Sequence, residues 1–170
     1  AALDTATNTN NATAWNPAAN FSVRSLLLSG TTLYVAGGFN VIGGQTRFNI
    51  AALDTTINTN NATAWNPGAN GFVLSLALLN TTLYAGGTFS TIGGSSRNNL
   101  AALDTAINTN NATAWNPNVS FDVNAVALAG TTLYAGGAFS TAGGQSRKNL
   151  VALDTTTNTN NATSWDPSPS

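Results

Sequence analysis

Cysteine, histidine, methionine and glutamate are all absent from the 170 residues. Their absence removes disulfides, thiolate and imidazole metal sites, and nucleophilic or general-base chemistry built on Cys or His. Charge is nearly absent as well. Charged residues make up 6% of the chain, against roughly 25% in an ordinary globular domain. Five cationic side chains face six Asp, a net charge of −1, so no basic stripe exists to neutralise a phosphate backbone, and nucleic acid is excluded as an expected partner. No run of about 18 apolar residues occurs, so no membrane insertion is expected. No basic segment followed by an apolar stretch marks a signal peptide. A chain that begins Ala-Ala-Leu reads as a processed product or as part of something longer.

What is present is an apolar fraction of 42%, together with 25 Asn and 26 Thr that cluster between the apolar runs. The first is enough for a sizeable core. The second supplies neutral amides and hydroxyls to keep the surface wet. Internal repetition organises both. AALDTATNTNNATAWNP at 1–17 returns as AALDTTINTNNATAWNP at 51–67, AALDTAINTNNATAWNP at 101–117 and VALDTTTNTNNATSWDP at 151–167. The period is 50 residues without insertion, and 51–100 matches 101–150 at 35 of 50 positions. The differences concentrate in one segment, GFVLSLALLN against FDVNAVALAG.

Turn residues divide each period into four short runs with strand character, which in the second period are Val73 to Leu78, Leu83 to Gly86, Asn99 to Asp104 and Ala112 to Asn116. In the first run, period-2 alternation puts Val73, Ser75 and Ala77 on one face and Leu74, Leu76 and Leu78 on the other. Ser29-Gly30, Leu79-Asn80 and Ala129-Gly130 suit tight hairpin tips with Gly or Asn at positive φ. In the longer Asp-Thr-x-x-Asn-Thr-Asn-Asn loop, Asp54 can accept bonds from amides ahead of it, and Asn58 is expected in the left-handed position. The fold class expected is therefore all-β: tandem four-stranded antiparallel β-propeller-type blades, three complete and one half. The units are a half-blade at 1–20 and blades at 21–70, 71–120 and 121–170. Both faces of such a meander are apolar, so the repeats must stack, radially as a propeller or linearly as a solenoid. Trp15, Trp65, Trp115 and Trp165, each before Asn-Pro or Asp-Pro, mark the end of the last strand.

The run Leu83-Tyr84-Ala85-Gly86-Gly87-Thr88-Phe89, with Ile92-Gly93-Gly94, Arg97-Asn98-Asn99-Leu100-Ala101-Ala102-Leu103-Asp104 and Trp115-Asn116-Pro117, resembles the delta-60-type β-propeller repeats of large extracellular bacterial proteins. The resemblance spans the whole chain and implies a propeller fold outside the cell. The commonest family form carries Gly in the Asp-Thr loop where this chain has Asn8, Asn58, Asn108 and Asn158.

Three and a half blades fall short of the four that a ring ordinarily needs. The open end sheets and the half-blade would expose apolar faces and unpaired edges, so either a partner chain covers them, with copies of the chain as the expected partners, or further repeats continue the array.

Four sets of repeated polar or aromatic residues are candidates for function. Asp4, Asp54, Asp104 and Asp154 recur with Asn at +4 and +6. One carboxylate per loop points to turn capping more than to calcium, so no cofactor or metal is expected. Arg47, Arg97 and Arg147, seven residues before Asp54, Asp104 and Asp154, predict either a repeated Arg–Asp pair or an Arg bonded to loop carbonyls. The Trp ladder reads as inter-blade core, with a sugar-stacking platform as the alternative. Glycosylation sequons begin at Asn11, Asn61, Asn111 and Asn161, one per repeat, and at Asn20, Asn80 and Asn118, which makes covalent glycans expected partners. The Gly-Gly pairs open no helix and carry no following Lys, so they are not phosphate loops. Enzymatic function is not expected, because the six Asp are mostly spent one per repeat in turns. The reading is a self-assembling extracellular repeat scaffold, ring or filament. The alternative is a binding module for carbohydrate or protein.

Overall fold

The computed structural model describes residues 1–167, which form fifteen strands and no helix. The first period contains β1 (Val23–Ser29), β2 (Thr32–Gly37), the miniature hairpin β3 (Val41–Ile42) with β4 (Gln45–Thr46), and β5 (Ile50–Asp54). The second repeats it as β6 (Val73–Leu79), β7 (Thr82–Gly87), β8 (Thr91–Ile92), β9 (Ser95–Ser96) and β10 (Leu100–Asp104). The third does so as β11 (Val123–Ala129), β12 (Thr132–Gly137), β13 (Thr141–Ala142), β14 (Gln145–Ser146) and β15 (Leu150–Asp154). Each period yields an antiparallel sheet, in the orders β1-β2-β5, β6-β7-β10 and β11-β12-β15. The all-β, repeated antiparallel architecture is that of propeller-type blades.

Local chemistry explains the hairpins. The tips between the first two strands of each sheet place Gly30, Asn80 and Gly130 at φ of 57°, 53° and 59°. Gly takes this region without penalty, and Asn tolerates it.

The fourth run of each period forms one bridge rather than a strand: Leu53 to Ala62, Leu103 to Ala112 and Leu153 to Ala162. Two backbone bonds flank each bridge, as in Asp104 N–H to Asn111 O and Thr113 N–H to Ala102 O. The run then leaves the ladder because Trp115 is drawn across to the next sheet. Its outer edge is not left bare: Ala112 N–H donates to Gly93 O at the tip of the β8–β9 hairpin, and Ala62 and Ala162 do the same to Gly43 and Gly143.

The alternation in β6 is reset by a bulge. Register shifts between Val73 and Ser75 in the β6–β7 pair, and at the same place in β1 and β11. The extra residue, Leu74, reverses the parity, so Val73 shares a face with Leu76 and Leu78, while Ala77 and Leu79 face the other way. The face toward the preceding sheet thus carries Val and Leu, and the face toward the following sheet carries Ala and Tyr84. The bulge brings backbone onto glycine. A Cβ on Gly37, Gly87 or Gly137 would lie 2.0, 2.0 or 1.9 Å from the carbonyl oxygen of Ser22, Phe72 or Asp122.

Candidate functional site

The interface between consecutive sheets is the most organised feature of the molecule. Its centre is the repeated Trp. Trp65 reaches the next sheet, where its Nε1–H donates to the Asp104 carbonyl at 3.1 Å. Trp15 and Trp115 make the same bond to Asp54 and Asp154 at 3.3 and 3.0 Å. Tyr34, Tyr84 and Tyr134 meet Trp65, Trp115 and Trp165 edge-to-face with centroids 5.3, 5.2 and 5.5 Å apart, a favoured aromatic geometry. A second tie runs along the rim, where Asn16, Asn66 and Asn116 N–H donate to Asn58, Asn108 and Asn158 O at 2.7, 2.6 and 2.7 Å. Ser75 Oγ accepts from Val126 N–H between the inner strands. Trp65 and Trp115 are buried in the clusters between sheets, which leaves their rings no face for a sugar. Trp165 is exposed.

The arginines bond to carbonyls. Arg47, Arg97 and Arg147 donate through Nη2 to Thr63, Thr113 and Thr163 O, and through Nη1 to Thr46, Ser96 and Ser146 O. Each fastens its small hairpin to the following loop. The ion pair seen is Arg147 with Asp166 at 3.3 Å; no bond joins an Arg to Asp54, Asp104 or Asp154 among the described residues. Those aspartates, with Asp4, accept the N–H two residues ahead through Oδ1 at 2.8 Å. Thr56 and Thr156 add a hydroxyl, and these donors hold the Asp54 and Asp154 carboxyls below the usual carboxylate range.

In the same loop the left-handed residue is Asn10, Asn60, Asn110 or Asn160, with φ of 50–51°, and not Asn8, Asn58, Asn108 or Asn158. The carbonyls of Asn58, Asn108 and Asn158 are committed to the inter-sheet bond just described, and the reversal falls two residues later.

The sequons separate into two groups. Asn61, Asn111 and Asn161 are buried, with 1–2% of their surface exposed, and their Nδ2 donates to the carbonyl of Ile57, Ile107 and Thr157. A glycan on Nδ2 has no room there in the folded chain, so the expectation of one used sequon per repeat is corrected at these three positions. Asn11, half-buried at the open end, makes the equivalent bond to Thr7. Asn20, Asn80 and Asn118 are exposed. Asn20 spends its amide on Asn40 and Val41. Asn118 Oδ1 accepts from Asn98 Nδ2. Asn80 stands at a hairpin tip.

Sequence reasoning missed one surface. Phe39, Phe89 and Phe139 are buried, but Phe21, Phe48, Phe72 and Phe121 are exposed. All four lie at the end of the sheets where the first strand begins and the second ends. Repeat-to-repeat differences also gather there, as at Phe48, Asn98 and Lys148. The substitution of Phe for Asn or Lys at one repeat position was the available signal.

A family model described as a domain of unknown function (DUF5122) beta-propeller matches residues 82–105. The match covers β7 through β10, the second and third strands of the middle sheet, and supports a β-propeller repeat. No curated protein matches the chain.

Proposed function

We propose that this chain is a non-enzymatic structural scaffold of the delta-60 type, displayed outside the cell, whose copies join end to end. One observation supports the reading: among the described residues, the outer faces of the first and third sheets are the two halves of the internal interface. Val23 is 42% exposed, whereas its equivalents Val73 and Val123 are 0% exposed. Leu26 and Leu28 are 61% and 63% exposed on the same face. At the other end, Trp165 is 44% exposed, against 3% for Trp65 and Trp115. Val and Leu on one end and Ala, Tyr and Trp on the other are the complement already realised twice inside the chain, and the contact is heterologous, so it propagates. Hiding Val23, Leu26 and Leu28 contributes on the order of 1–2 kcal/mol each.

The scarcity of charge and the exposed sequons support an exterior setting. Within that setting Asn80 and Asn118 are the positions for covalent glycans. Intact mass of the native material tests this: a bare polypeptide mass ends the glycan proposal and leaves the scaffold standing.

The exposed phenylalanines favour a second reading, a binding module that presents Phe21, Phe48, Phe72 and Phe121 to a ligand. Multi-angle light scattering with electron microscopy separates the two. Concentration-dependent growth into rings or fibres is expected for the scaffold. A monomer at all concentrations that saturates with a carbohydrate or protein ligand sinks it in favour of the module.

A further inference from the structure

A polar groove opens at the junction between the second and third repeats. Its volume is about 610 Å³, within the roughly 300–1,000 Å³ of small-ligand sites. Three segments wall it: the corner at 116–118 that follows Trp115, the miniature hairpin of β13 and β14, and the loop at Thr159 and Asn160. They are tied to one another through the backbone. Gly143 N–H donates to Pro117 O and Asn116 N–H to Asn158 O, both at 2.7 Å, and Ala162 N–H donates to Gly143 O at 3.1 Å. The walls are therefore fixed before any ligand arrives, which lowers the ordering cost of binding. The groove is internal to the array. The equivalent residues of the middle repeat, Thr91, Gly94, Ser96, Thr109 and Asn110, are exposed with a repeat on either side, so a repeat following the third leaves it open.

No charged side chain lines the groove among the described residues. An anion finds no cation in it, and a cation finds no carboxylate. What it offers instead is neutral groups with unspent hydrogen bonds. The side chains of Thr141, Gln145, Ser146, Thr159 and Asn160 line it and bond to nothing else in the described chain. Amides and hydroxyls both give and take bonds, which matches a ligand whose own groups are hydroxyls. Pro117 and Ala142 add apolar surface. Gly144, at φ 80°, bares backbone to the groove, and a Cβ there would lie 2.3 Å from Asn160 Oδ1. The repeats differ at this place. Asn118 stands where the earlier repeats have Ala18 and Gly68, Gln145 where the middle one has Ser95, and Thr141 where the first has Val41. The full polar set therefore occurs at one junction among the described residues.

We infer that this groove is a binding site for a neutral saccharide of about disaccharide size. The sugar hydroxyls pair with Gln145, Ser146, Thr159 and Asn160, and a C–H face of the ring lies on Pro117 and Ala142. Phosphorylated or acidic sugars are disfavoured, because burying their charge here meets no counter-charge. None of the exposed phenylalanines lines the groove, so the site is separate from that surface. It is also independent of end-to-end joining, and a chain that assembles and binds sugar keeps both properties. Asn118 lines the groove and is exposed, so a covalent glycan there competes with the ligand for the same space.

The test titrates the full, unglycosylated chain with maltose, cellobiose, lactose and chitobiose in turn and follows backbone amide shifts by NMR. At least one sugar is expected to give saturable shifts at Thr141, Gln145, Ser146, Thr159 and Asn160, with a Kd on the order of 1 mM. Gln145→Ser/Thr159→Val is expected to weaken that sugar about tenfold through two lost hydrogen bonds. The double variant keeps the fold, since Ser95 already holds the place equivalent to Gln145 and Thr159 is exposed. Phe72→Ser, which places at 72 the residue found at Ser22, is expected to leave the affinity unchanged. Shifts that gather around Phe72 and vanish in Phe72→Ser overturn the groove in favour of the phenylalanine surface. An unchanged affinity in the double variant overturns it as well. No saturable shift with any of the four sugars, at concentrations well above that Kd, overturns the ligand class. Assembly is read separately, by light scattering of the same samples, so failure of the groove and failure of the scaffold are distinguishable.

Discussion

Truncating Trp65 to Ala is expected to cost about 3–5 kcal/mol of stability, whereas the same truncation at Trp165, which is exposed but meets Tyr134 edge-to-face, is expected to cost about 1 kcal/mol in dilute monomer. The residue type and the sequence surroundings are nearly identical, so the difference isolates the interface. Trp65 is buried between sheets, stacks edge-to-face on Tyr34 and donates to the Asp104 carbonyl. Removing it opens a cavity between two sheets and strips a partly buried carbonyl of its donor. Because each sheet touches only its neighbours, the loss falls on one junction of a nearly one-dimensional array. It should appear in urea unfolding as an earlier, broader transition. Equal shifts for the two variants would show that the Trp ladder does not hold the sheets together.

Gly87→Ala is expected to cost of order 3 kcal/mol or more, at the top of the range for overpacking. The added methyl group would lie 2.0 Å from the Phe72 carbonyl oxygen, which is backbone and can move only if the bulge at Leu74 is undone. Undoing it would reverse the parity of β6 and turn Leu76 and Leu78 out of the cluster they share with Tyr34. Gly30 is the contrasting position. A Cβ there meets nothing within 4 Å, and Asn80 already holds the equivalent site at φ 53°, so Gly30→Asn is expected within about 0.5 kcal/mol of the parent. Thermal unfolding by circular dichroism checks both. A Gly87→Ala chain that melts with the parent would mean that the bulge is not enforced by backbone contact.

Much of this architecture is legible in the chain because it depends on neighbours in sequence. The period, the tight hairpins and the three long strands follow from alternating apolar residues bounded by turn residues. Gly30, Asn80 and Gly130 declare their conformation by their chemistry. The buried sequon asparagines do not. Asn61 reads as a surface loop residue, and its amide is turned inward by Ile57 only four residues away, beneath a loop whose course is set by the neighbouring sheet. Arg97 is legible as one of two alternatives, an Asp pair or a bond to loop carbonyls, and the second is what the structure holds. Its spacing to Asp104 fits a pair, yet its guanidinium reaches the Thr113 carbonyl, because the small hairpin that carries it folds back against the bridge at Ala112.

Composition and periodicity alone determined that the molecule is an all-β repeat array with apolar sheet faces, since strand formation and turn chemistry are short-range. The tertiary structure decided which face each residue of β6 presents, which Asn turns left-handed, which sequons are covered, and how the fourth run ends. Each of those outcomes is set by a backbone or indole contact between segments distant along the chain, in most cases on adjacent sheets. Such contacts exist only once the repeats have stacked.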